Sequence, residues 1–222
     1  MTGHLALFDL DNTLLAGDSD HAWGEFLIAQ NLVDAESHRA RNNAFYQQYL
    51  EGQLDIHAYV EFTVQPIKTL KPDERQALHG KFLADVISPL VLDKGKALVE
   101  KHANEGDICI IITATNDFIT RPIAKLFGVD ILLATDLEEV DDVLTGKIAG
   151  TPCYQQGKVK KLQQWMQVND LNSELGDACF YTDSINDLPL LERVAKPVAV
   201  DPDEELSAIA TERNWKIISL RP

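Results

Sequence analysis

The chain has 222 residues, of which 45% are hydrophobic, enough to bury one sizeable core with a smaller module built onto it. Its 35 acidic and 20 basic side chains leave a net charge of -15, which opposes binding to nucleic-acid phosphates and to anionic membranes. An acidic protein binds a small phosphate only where a metal ion, a lysine and backbone amides concentrate positive charge.

The three cysteines indicate a reduced environment. Cys109, Cys153 and Cys179 are odd in number, far apart and without a C-x-x-C pair, so neither a disulfide framework nor a zinc knuckle is indicated. Residues 1–7 lack the basic and long apolar regions of a signal peptide, and no stretch approaches the length of a membrane span. We therefore expect a cytoplasmic protein with no membrane partner.

Short apolar runs that end at polar residues predict the strands of a buried sheet. The first, at 5–8, stops at Asp9, and similar runs cover 108–112, 131–133, 179–181 and 198–200. Amphipathic stretches at 94–104, 117–127, 158–167 and 204–213 alternate with these runs and predict helices. Pro122 fits the second helix only if that helix starts near Thr120.

Strands that alternate with helices predict an α/β fold, a doubly wound parallel sheet covered on both faces. Such sheets bind ligands at the carboxyl ends of their strands, so the polar residues that end the strands should converge on one site. Residues 138–148, with Thr145 and Gly146 near their middle, predict a hairpin between the third strand and the next helix.

One segment breaks this alternation. It shows no convincing strand but carries aromatic and leucine side chains at helical spacing, namely Trp23, Phe26, Leu27, Phe45, Tyr49, Tyr59, Phe62, Leu78 and Phe82. Its position after the first strand's loop is typical of a cap that excludes water and selects substrate. We predict a catalytic core of residues 1–16 and 90–222 and a helical cap of residues 17–89.

Asp9 and Asp11 flank a single residue where the first strand passes into its loop. Two neighbouring carboxylates can take different roles. One, ionised and holding a divalent cation, acts as nucleophile, and the other, whose pKa is raised by like charge, protonates a leaving oxygen. An ordinary turn rich in Asp and Asn is the alternative interpretation.

A second acidic cluster follows the fourth strand. Asp183, Asn186 and Asp187 bring two carboxylates and an amide to the same end of the sheet. Hard oxygen ligands favour Mg²⁺, which typically takes one or two protein carboxylates together with substrate phosphate. The alternative is that Asp183 and Asn186 only cap the helix that begins near Ile185.

These segments resemble the four motifs of the haloacid dehalogenase superfamily, in particular its phosphoserine-phosphatase-like branch with a helical cap. The sequence Phe-Asp-Leu-Asp-Asn-Thr-Leu at 8–14 is similar to the first motif, residues 110–113 to the second, Lys158 to the third and residues 183–187 to the fourth. The matches occur in order across nearly the whole chain, which makes them jointly far more specific than any one motif.

The resemblance implies a Mg²⁺-dependent phosphatase that acts on a small phosphorylated metabolite. Asp9 would attack phosphorus to give an aspartyl phosphate, and Asp11 would act as general acid and then as base for the hydrolytic water. The implied metal ligands are Asp9, Asp183 and the backbone carbonyl of Asp11. Further implied roles are phosphate binding by Thr113 and Lys158 and orientation of the metal shell or lysine by Asn186 and Asp187.

Thr113 and Lys158 are the least distinctive of these residues. Gly-Lys pairs also occur at Lys81, Lys96 and Lys147, but only Lys158 follows the hairpin and precedes the helix leading to the fourth motif. A threonine that ends a strand is common, and order along the chain supports Thr113. The sequence contains no Walker A loop, G-x-G-x-x-G turn or H-x-x-x-H pair, which disfavours NTP, dinucleotide and zinc chemistry.

In phosphoserine phosphatases of this branch, a glutamate after the first motif binds the substrate's amino group and a cap arginine assists. Asp18 occupies the matching place, and its carboxylate can accept an ammonium. No cap arginine aligns with the carboxylate-binding one, since Arg39, Arg41 and Arg75 are each expected on the solvated surface.

A substrate with an amine but no carboxylate fits a cap that lacks the carboxylate-binding arginine. The pattern D-S-D-H-x-W at 18–23 also resembles proteins described as histidinol-phosphatases, which implies histidinol phosphate as a candidate substrate contacted by Asp18, Asp20 and Trp23. Trp23 also fits a helical core stripe with Phe26 and Leu27, and we prefer that interpretation. A phosphoserine phosphatase is the alternative.

Two other functions stay open. A receiver-like signalling or binding module would also combine a doubly wound sheet, an acidic magnesium pocket and a phosphorylated Asp9. Asp11, a base suited to hydrolysis, and a cap of about seventy residues argue against such a module. A phosphotransferase differs only in its acceptor, and the sequence indicates no particular oligomeric state.

Overall fold

A computed structural model of the chain describes residues 4–171 and 175–222. Its strands are β1 (Leu5–Phe8), β2 (Ile108–Asn116), β3 (Ile131–Thr135), β4 (Leu137–Val140), β5 (Val143–Ile148), β6 (Cys179–Thr182), β7 (Lys196–Val200) and β8 (Lys216–Ile218). Within the described residues, a 6-stranded sheet has the order β3-β2-β1-β6-β7-β8, and β4 and β5 form a separate hairpin. All neighbouring strands of the large sheet are parallel.

β1 lies in the middle of the sheet and is buried on both faces. Leu5 and Leu7 join one hydrophobic cluster, and Ala6 and Phe8 join the other, because successive side chains of a strand alternate between faces. The strand order reverses at β1, which pairs with β2 on one side and β6 on the other. Ligand sites of doubly wound sheets lie at such a switch point.

Helices cover both faces of this sheet. They are α1 (Ser19–Ala29), α2 (Ala35–Leu50), α3 (Ile56–Val64), α4 (Pro72–Phe82), α5 (Asp93–Asn104), α6 (Asp117–Leu126), α7 (Gln156–Val168), α8 (Leu188–Leu191) and α9 (Glu204–Glu212). Buried side chains of α5 and α6 join the cluster of Phe8, and those of α7 and α9 join the cluster of Leu7. The predicted doubly wound α/β fold is therefore confirmed. Among the described helices, none combines the length and the apolar character needed to cross a membrane.

The helix predicted at 117–127 is confirmed as α6, but the expectation that Pro122 requires a start near Thr120 was wrong. The helix begins at Asp117 rather than near Thr120, and Pro122 lies inside it. The Asn116 side chain accepts the Ile119 amide at 3.2 Å, and the Thr120 hydroxyl donates to the Asn116 carbonyl at 2.9 Å. These two bonds fix the first turn of the helix. The helix therefore tolerates the loss of one backbone hydrogen bond at Pro122, which has no N–H to donate.

The chain between β1 and α5 forms the helices α1–α4, so the predicted helical insertion is present. A π-helical turn (Leu83–Ile87) and a 3-10 turn (Ser88–Leu90) lead from α4 back towards the sheet. Trp23 is 1% exposed, and its ring centroid lies 5.0 Å from that of Phe82 and 5.7 Å from that of Phe118. Since Phe118 belongs to α6, Trp23 is a core residue that packs the insertion against the α/β layers. The division into residues 1–16 with 90–222 and residues 17–89 stays a prediction.

Two local features differ from the sequence-based expectation. β8 was not predicted, because this short edge strand begins with an exposed lysine and lacks a buried apolar run. The hairpin is confirmed, but its turn lies at Asp141 and Asp142 rather than at Thr145 and Gly146. Asp141 and Asp142 have φ angles of 51° and 62°, the two left-handed positions of a type I′ turn.

Arg75 was wrongly expected on the solvated surface. It is 5% exposed, and its Nη2 donates to the Glu139 carboxylate at 2.7 Å and to the Asp142 carbonyl at 2.8 Å. The β4–β5 hairpin covers Arg75. The residues next to Arg75 in the sequence do not show that a hairpin more than 60 residues away packs on it. Arg39 and Arg41 are exposed, as expected.

Candidate active site

The carboxyl ends of β1, β2 and β6 bring the predicted site residues together. Asp9 follows β1, Thr113 lies within β2, and Asp183 follows β6. Asp9, Asp11, Asp18 and Thr113 line one cavity. This convergence follows from the parallel arrangement, in which all strands end at the same edge of the sheet.

Lys158 is buried between two carboxylates. Its ammonium donates to Asp9 Oδ1 and to Asp187 Oδ2, both at 2.7 Å, and its side chain is 2% exposed. Burial alone would lower the pKa of Lys158, but the charges of Asp187 and Asp9 outweigh burial and raise it. The lysine is therefore charged and supplies positive potential beside Asp9.

The start of α7 holds Lys158 in place. A side chain on Gly157 would put its Cβ 1.9 Å from the carbonyl oxygen of Pro152, so only glycine fits this turn. By contrast, a Cβ on Gly80, the glycine before Lys81, would meet no atom within 4 Å. The two Gly-Lys pairs are therefore structurally different.

Asp11 is held by donors from the insertion and from β2. Its Oδ1 accepts the Ser19 backbone amide at 2.7 Å, and its Oδ2 accepts the Thr115 hydroxyl at 2.8 Å. Burial raises the pKa of Asp11 to about 7, and the charge of Asp18 adds to this rise, whereas the two donors oppose it. A carboxyl group that titrates near neutrality can both give and take a proton.

Asp9 and Asp183 lie on either side of the Thr13 hydroxyl. Thr13 Oγ1 is 3.4 Å from Asp9 Oδ2 and 3.1 Å from Asp183 Oδ1. Burial raises the pKa of Asp183 well above its ordinary value, and the charge of Asp9 adds to the rise. Burial also raises the pKa of Asp9 to about 7, although Lys158 opposes it. Paired hard oxygens with surplus negative charge fit a divalent cation.

Side chains of the insertion close the cavity. Asp18 caps α1, and its Oδ1 accepts the His21 amide at 2.7 Å. The rest of this wall consists of Asp20, Phe45, Tyr46, Tyr49, Leu54, Ile56 and Tyr59. The cavity volume is about 30 Å³, and residues of the insertion therefore shape the space next to Asp9 and Asp11.

Asn186 and Gln155 connect the strand ends to the end of α2 and the loop after it. Asn186 Nδ2 donates to the Tyr49 carbonyl at 2.8 Å, and Gln155 Nε2 donates to the Gly52 carbonyl at 3.2 Å. Gln155 has a φ of 48°, a backbone conformation that costs energy for a residue with a Cβ. The role of Asn186 toward a metal shell or toward Lys158 stays a prediction, as do the catalytic, metal-binding and phosphate-binding roles of the other site residues.

A family model described as haloacid dehalogenase-like hydrolase matches residues 6–192. This span runs from β1 to the end of α8 and contains every residue predicted for the site. The chain belongs to this family. The predicted superfamily, and with it the prediction of a hydrolase, is confirmed.

Two similar proteins agree with this assignment. A histidinol-phosphatase from Neisseria meningitidis serogroup C (strain 8013) is 41% identical over 220 residues, which are 98% of this chain and 99% of that protein. Phosphoserine phosphatase SerB1 from Mycobacterium tuberculosis (strain ATCC 25618 / H37Rv) is 30% identical over 219 residues, 97% of this chain and 70% of that protein. The predicted class, a phosphatase, agrees with both names.

Among solved structures, a protein with unknown function from Bordetella pertussis Tohama I superposes with a TM-score of 0.92 at 41% identity, covering 100% of both chains. A substrate-bound phosphoserine phosphatase superposes with a TM-score of 0.70 at 17% identity, covering 100% of this chain and 94% of that one. At this low identity, the second likeness shows the fold alone.

Several residues of the hydrolase site were not singled out from the sequence. Thr13 completes the D-x-D-x-T pattern that starts at Asp9, so its spacing was the available signal. Thr115 lies two residues beyond Thr113, and residues at that spacing share one face of a strand. The aromatic residues of the insertion were used only to predict helices and a cap, because helical periodicity does not distinguish a core face from a cavity wall.

Proposed function

We propose that this hydrolase is a Mg²⁺-dependent phosphomonoesterase that works through an aspartyl phosphate on Asp9. The observation that carries the proposal is the position of the Asp9 carboxylate, which bonds to Lys158, lies across the Thr13 hydroxyl from Asp183 and lines the cavity. A buried carboxylate beside a buried cation has the surroundings that phosphoryl transfer requires.

Two steps describe the reaction. An oxygen of Asp9 attacks phosphorus, the ester P–O bond breaks, and Asp11 gives its proton to the leaving alkoxide to release the alcohol. Asp11 then removes a proton from a water molecule, which attacks phosphorus, releases inorganic phosphate and restores the Asp9 carboxylate. The raised pKa of Asp11 supports this exchange of roles.

The remaining residues bind and neutralise the phosphoryl group. Lys158 and Thr113 would contact phosphoryl oxygens as donors, and Asp187 holds the lysine in position. Asp9, Asp183 and the Asp11 carbonyl would hold Mg²⁺, which would neutralise the phosphoryl oxygens as negative charge develops on them. The surplus negative charge around Asp183 supports the need for such a cation.

Histidinol phosphate is the substrate we favour. The similar protein from Neisseria, matched over nearly its whole length, is named a histidinol-phosphatase. The cavity wall supports an amine-bearing substrate, since Asp18 and Asp20 both line it. Phosphoserine is the second candidate, because the 30% identical relative from Mycobacterium is named a phosphoserine phosphatase.

The positions of the acidic residues favour hydrolysis over signalling. A receiver-like module needs a long-lived phosphoaspartate, whereas Asp11, on the same cavity as Asp9, supplies a base that would hydrolyse it. Transfer to an alcohol acceptor uses the same first step, so a comparison of phosphate release with and without added alcohols distinguishes hydrolase from transferase.

The test is phosphate release from histidinol phosphate, phosphoserine and a phosphosugar. We expect release with Mg²⁺, loss with EDTA and recovery when Mg²⁺ is restored. Asp9→Asn should lower kcat by about 10³-fold or more, because the nucleophile is lost. Its matched control is Asp85→Asn, which changes an exposed carboxylate and should leave kcat unchanged. Substantial turnover by a folded Asp9→Asn variant would refute the nucleophile assignment.

A further inference from the structure

Asp20 is a buried carboxylate without a partner for one of its oxygens. It lies in the first turn of α1, is 7% exposed and lines the cavity. Its Oδ1 accepts no hydrogen bond from any residue that the structure describes. The other two acids on this side of the cavity are engaged, since Asp11 accepts from Ser19 and Thr115 and Asp18 accepts from the His21 amide.

Keeping a buried carboxylate ionised without a hydrogen-bond partner costs free energy unless a ligand binds beside it. Burial raises the pKa of Asp20 well above its ordinary value, and the charges of Asp18 and Asp11 add to the rise. The N-terminal end of α1 and the Tyr59 hydroxyl offset only part of this cost. A cation bound beside Asp20 would restore its charged form and satisfy the free oxygen.

The aromatic wall next to Asp20 suits a cation as well. Phe45, Tyr46, Tyr49 and Tyr59 line the same cavity, and the rings of Phe45 and Tyr59 pack with their centroids 5.1 Å apart. The faces of such rings attract an ammonium or a protonated heterocycle. They also offer flat apolar surface to a planar group.

The lining of the cavity does not favour a substrate carboxylate. Among the described residues that line it, there is no Lys, Arg or His. Lys158 is not among the residues that line the cavity, and its charge is shared by Asp9 and Asp187. A carboxylate on the alcohol part of a substrate would therefore face acidic groups and be repelled.

We propose that Asp20 is a specificity-determining residue that binds the positively charged group of the substrate's alcohol part. The cavity thereby selects phosphomonoesters that carry an amine or a protonated heterocycle and lack a carboxylate. The inference rests on the phosphomonoesterase function proposed above and adds the residue that recognises the leaving group's charge.

The experiment compares esters that differ in the charge of the alcohol part. These are histidinol phosphate and phosphoethanolamine, which are cationic there, phosphoserine, which adds a carboxylate, and 4-nitrophenyl phosphate, which has no cation. We expect Asp20→Asn, which keeps the shape, to lower kcat/KM for the two cationic esters by about 10- to 100-fold. Turnover of 4-nitrophenyl phosphate should stay within about threefold. Asp34→Asn, at the exposed start of α2, is the matched control.

Equal losses on all four esters would overturn the inference and assign Asp20 a structural role, and so would unchanged kcat/KM for the cationic esters. A wild-type preference for phosphoserine would also overturn it. Failure of the wild type to release phosphate from any ester would instead refute the proposed function.

In that case calorimetric titration with histidinol, which needs no turnover, still tests the subsite. Binding that weakens about tenfold or more in Asp20→Asn supports the inference. Binding that is equal in both proteins, or absent from the wild type, overturns it.

Discussion

Acidic side chains lie at both ends of the parallel sheet. At the amino ends the described acidic group Asp107 has hydrogen-bonding partners, whereas at the carboxyl ends several acidic groups are unmatched, that is, they lack a positively charged or hydrogen-bonding partner. At the amino ends, His102 Nδ1 lies 2.7 Å from Asp107 Oδ2 and its Nε2 lies 2.9 Å from the Tyr181 hydroxyl. His102, Glu105 and Asp107 place candidate metal-ligand atoms within 4.8 Å of one another. Both ring nitrogens of His102 are nevertheless occupied, and Asp107 Oδ1 accepts the His4 amide at 3.2 Å, so His102 and Asp107 belong to a hydrogen-bond network.

At the carboxyl ends of the strands, the acidic groups outnumber the cations and hydrogen-bond donors that contact them. Lys158 neutralises part of the charge of Asp9 and Asp187, while Asp183 keeps a raised pKa and Asp20 keeps an unpaired oxygen. A folded protein retains such groups where a ligand compensates for their cost. Unmatched charge, and not acidic composition alone, therefore distinguishes the candidate active site from a structural network.

Among the substitutions that compare the two ends of the sheet, Asp11→Asn at the carboxyl ends should have the largest effect. We expect Asp11→Asn to lower kcat by about 10²- to 10⁴-fold, because an amide can neither give nor take the proton. Rapid-quench measurement of alcohol and phosphate release should show both steps slowed. Asp107→Asn, at the matched end, should leave kcat within about twofold. A similar loss of kcat in Asp11→Asn and Asp107→Asn would contradict the proposed difference between the two ends of the sheet.

A smaller effect concerns the free energy of unfolding. Lys158→Met leaves Asp9 and Asp187 buried without their shared cation, which should lower the free energy of unfolding by about 3–5 kcal/mol at neutral pH. Urea denaturation in EDTA measures this change without interference from metal. Arg39→Met, which removes the exposed pair with Glu25, should change the urea midpoint little. Equal stability of Lys158→Met and wild type would mean that the buried charges are compensated elsewhere.

The smallest effect should come from the amino ends. Tyr181→Phe removes the hydroxyl that pairs with His102 Nε2, which should lower the free energy of unfolding by about 1 kcal/mol. Its kcat/KM should stay within about twofold, since the change lies across the sheet from the cavity. Thermal denaturation and the phosphate-release assay measure both quantities. A tenfold loss of kcat/KM would show that the amino ends of the strands influence the candidate active site, contrary to this prediction.

Much of the fold could be predicted because its signals are local. The apolar runs at 5–8 and 179–181 and the amphipathic stretch at 158–167 correspond to β1, β6 and α7. Parallel strands bring their carboxyl ends to one edge, so Asp9 and Asp183 had to lie near each other once the strands were recognised. The position of Pro122 inside α6 escaped prediction, because the side-chain cap of Asn116 fixes the start of the helix ahead of the proline.

The sequence by itself determined the order of strands and helices, the family motifs and the surplus of acid, because each is encoded in neighbouring residues or in simple counts. Only the tertiary structure decided which charges are matched, as the burial of Arg75 under the hairpin and the free oxygen of Asp20 illustrate. Pairing depends on distances between segments far apart in the chain, and burial sets the cost of a missing partner. Neither quantity exists until the chain has folded.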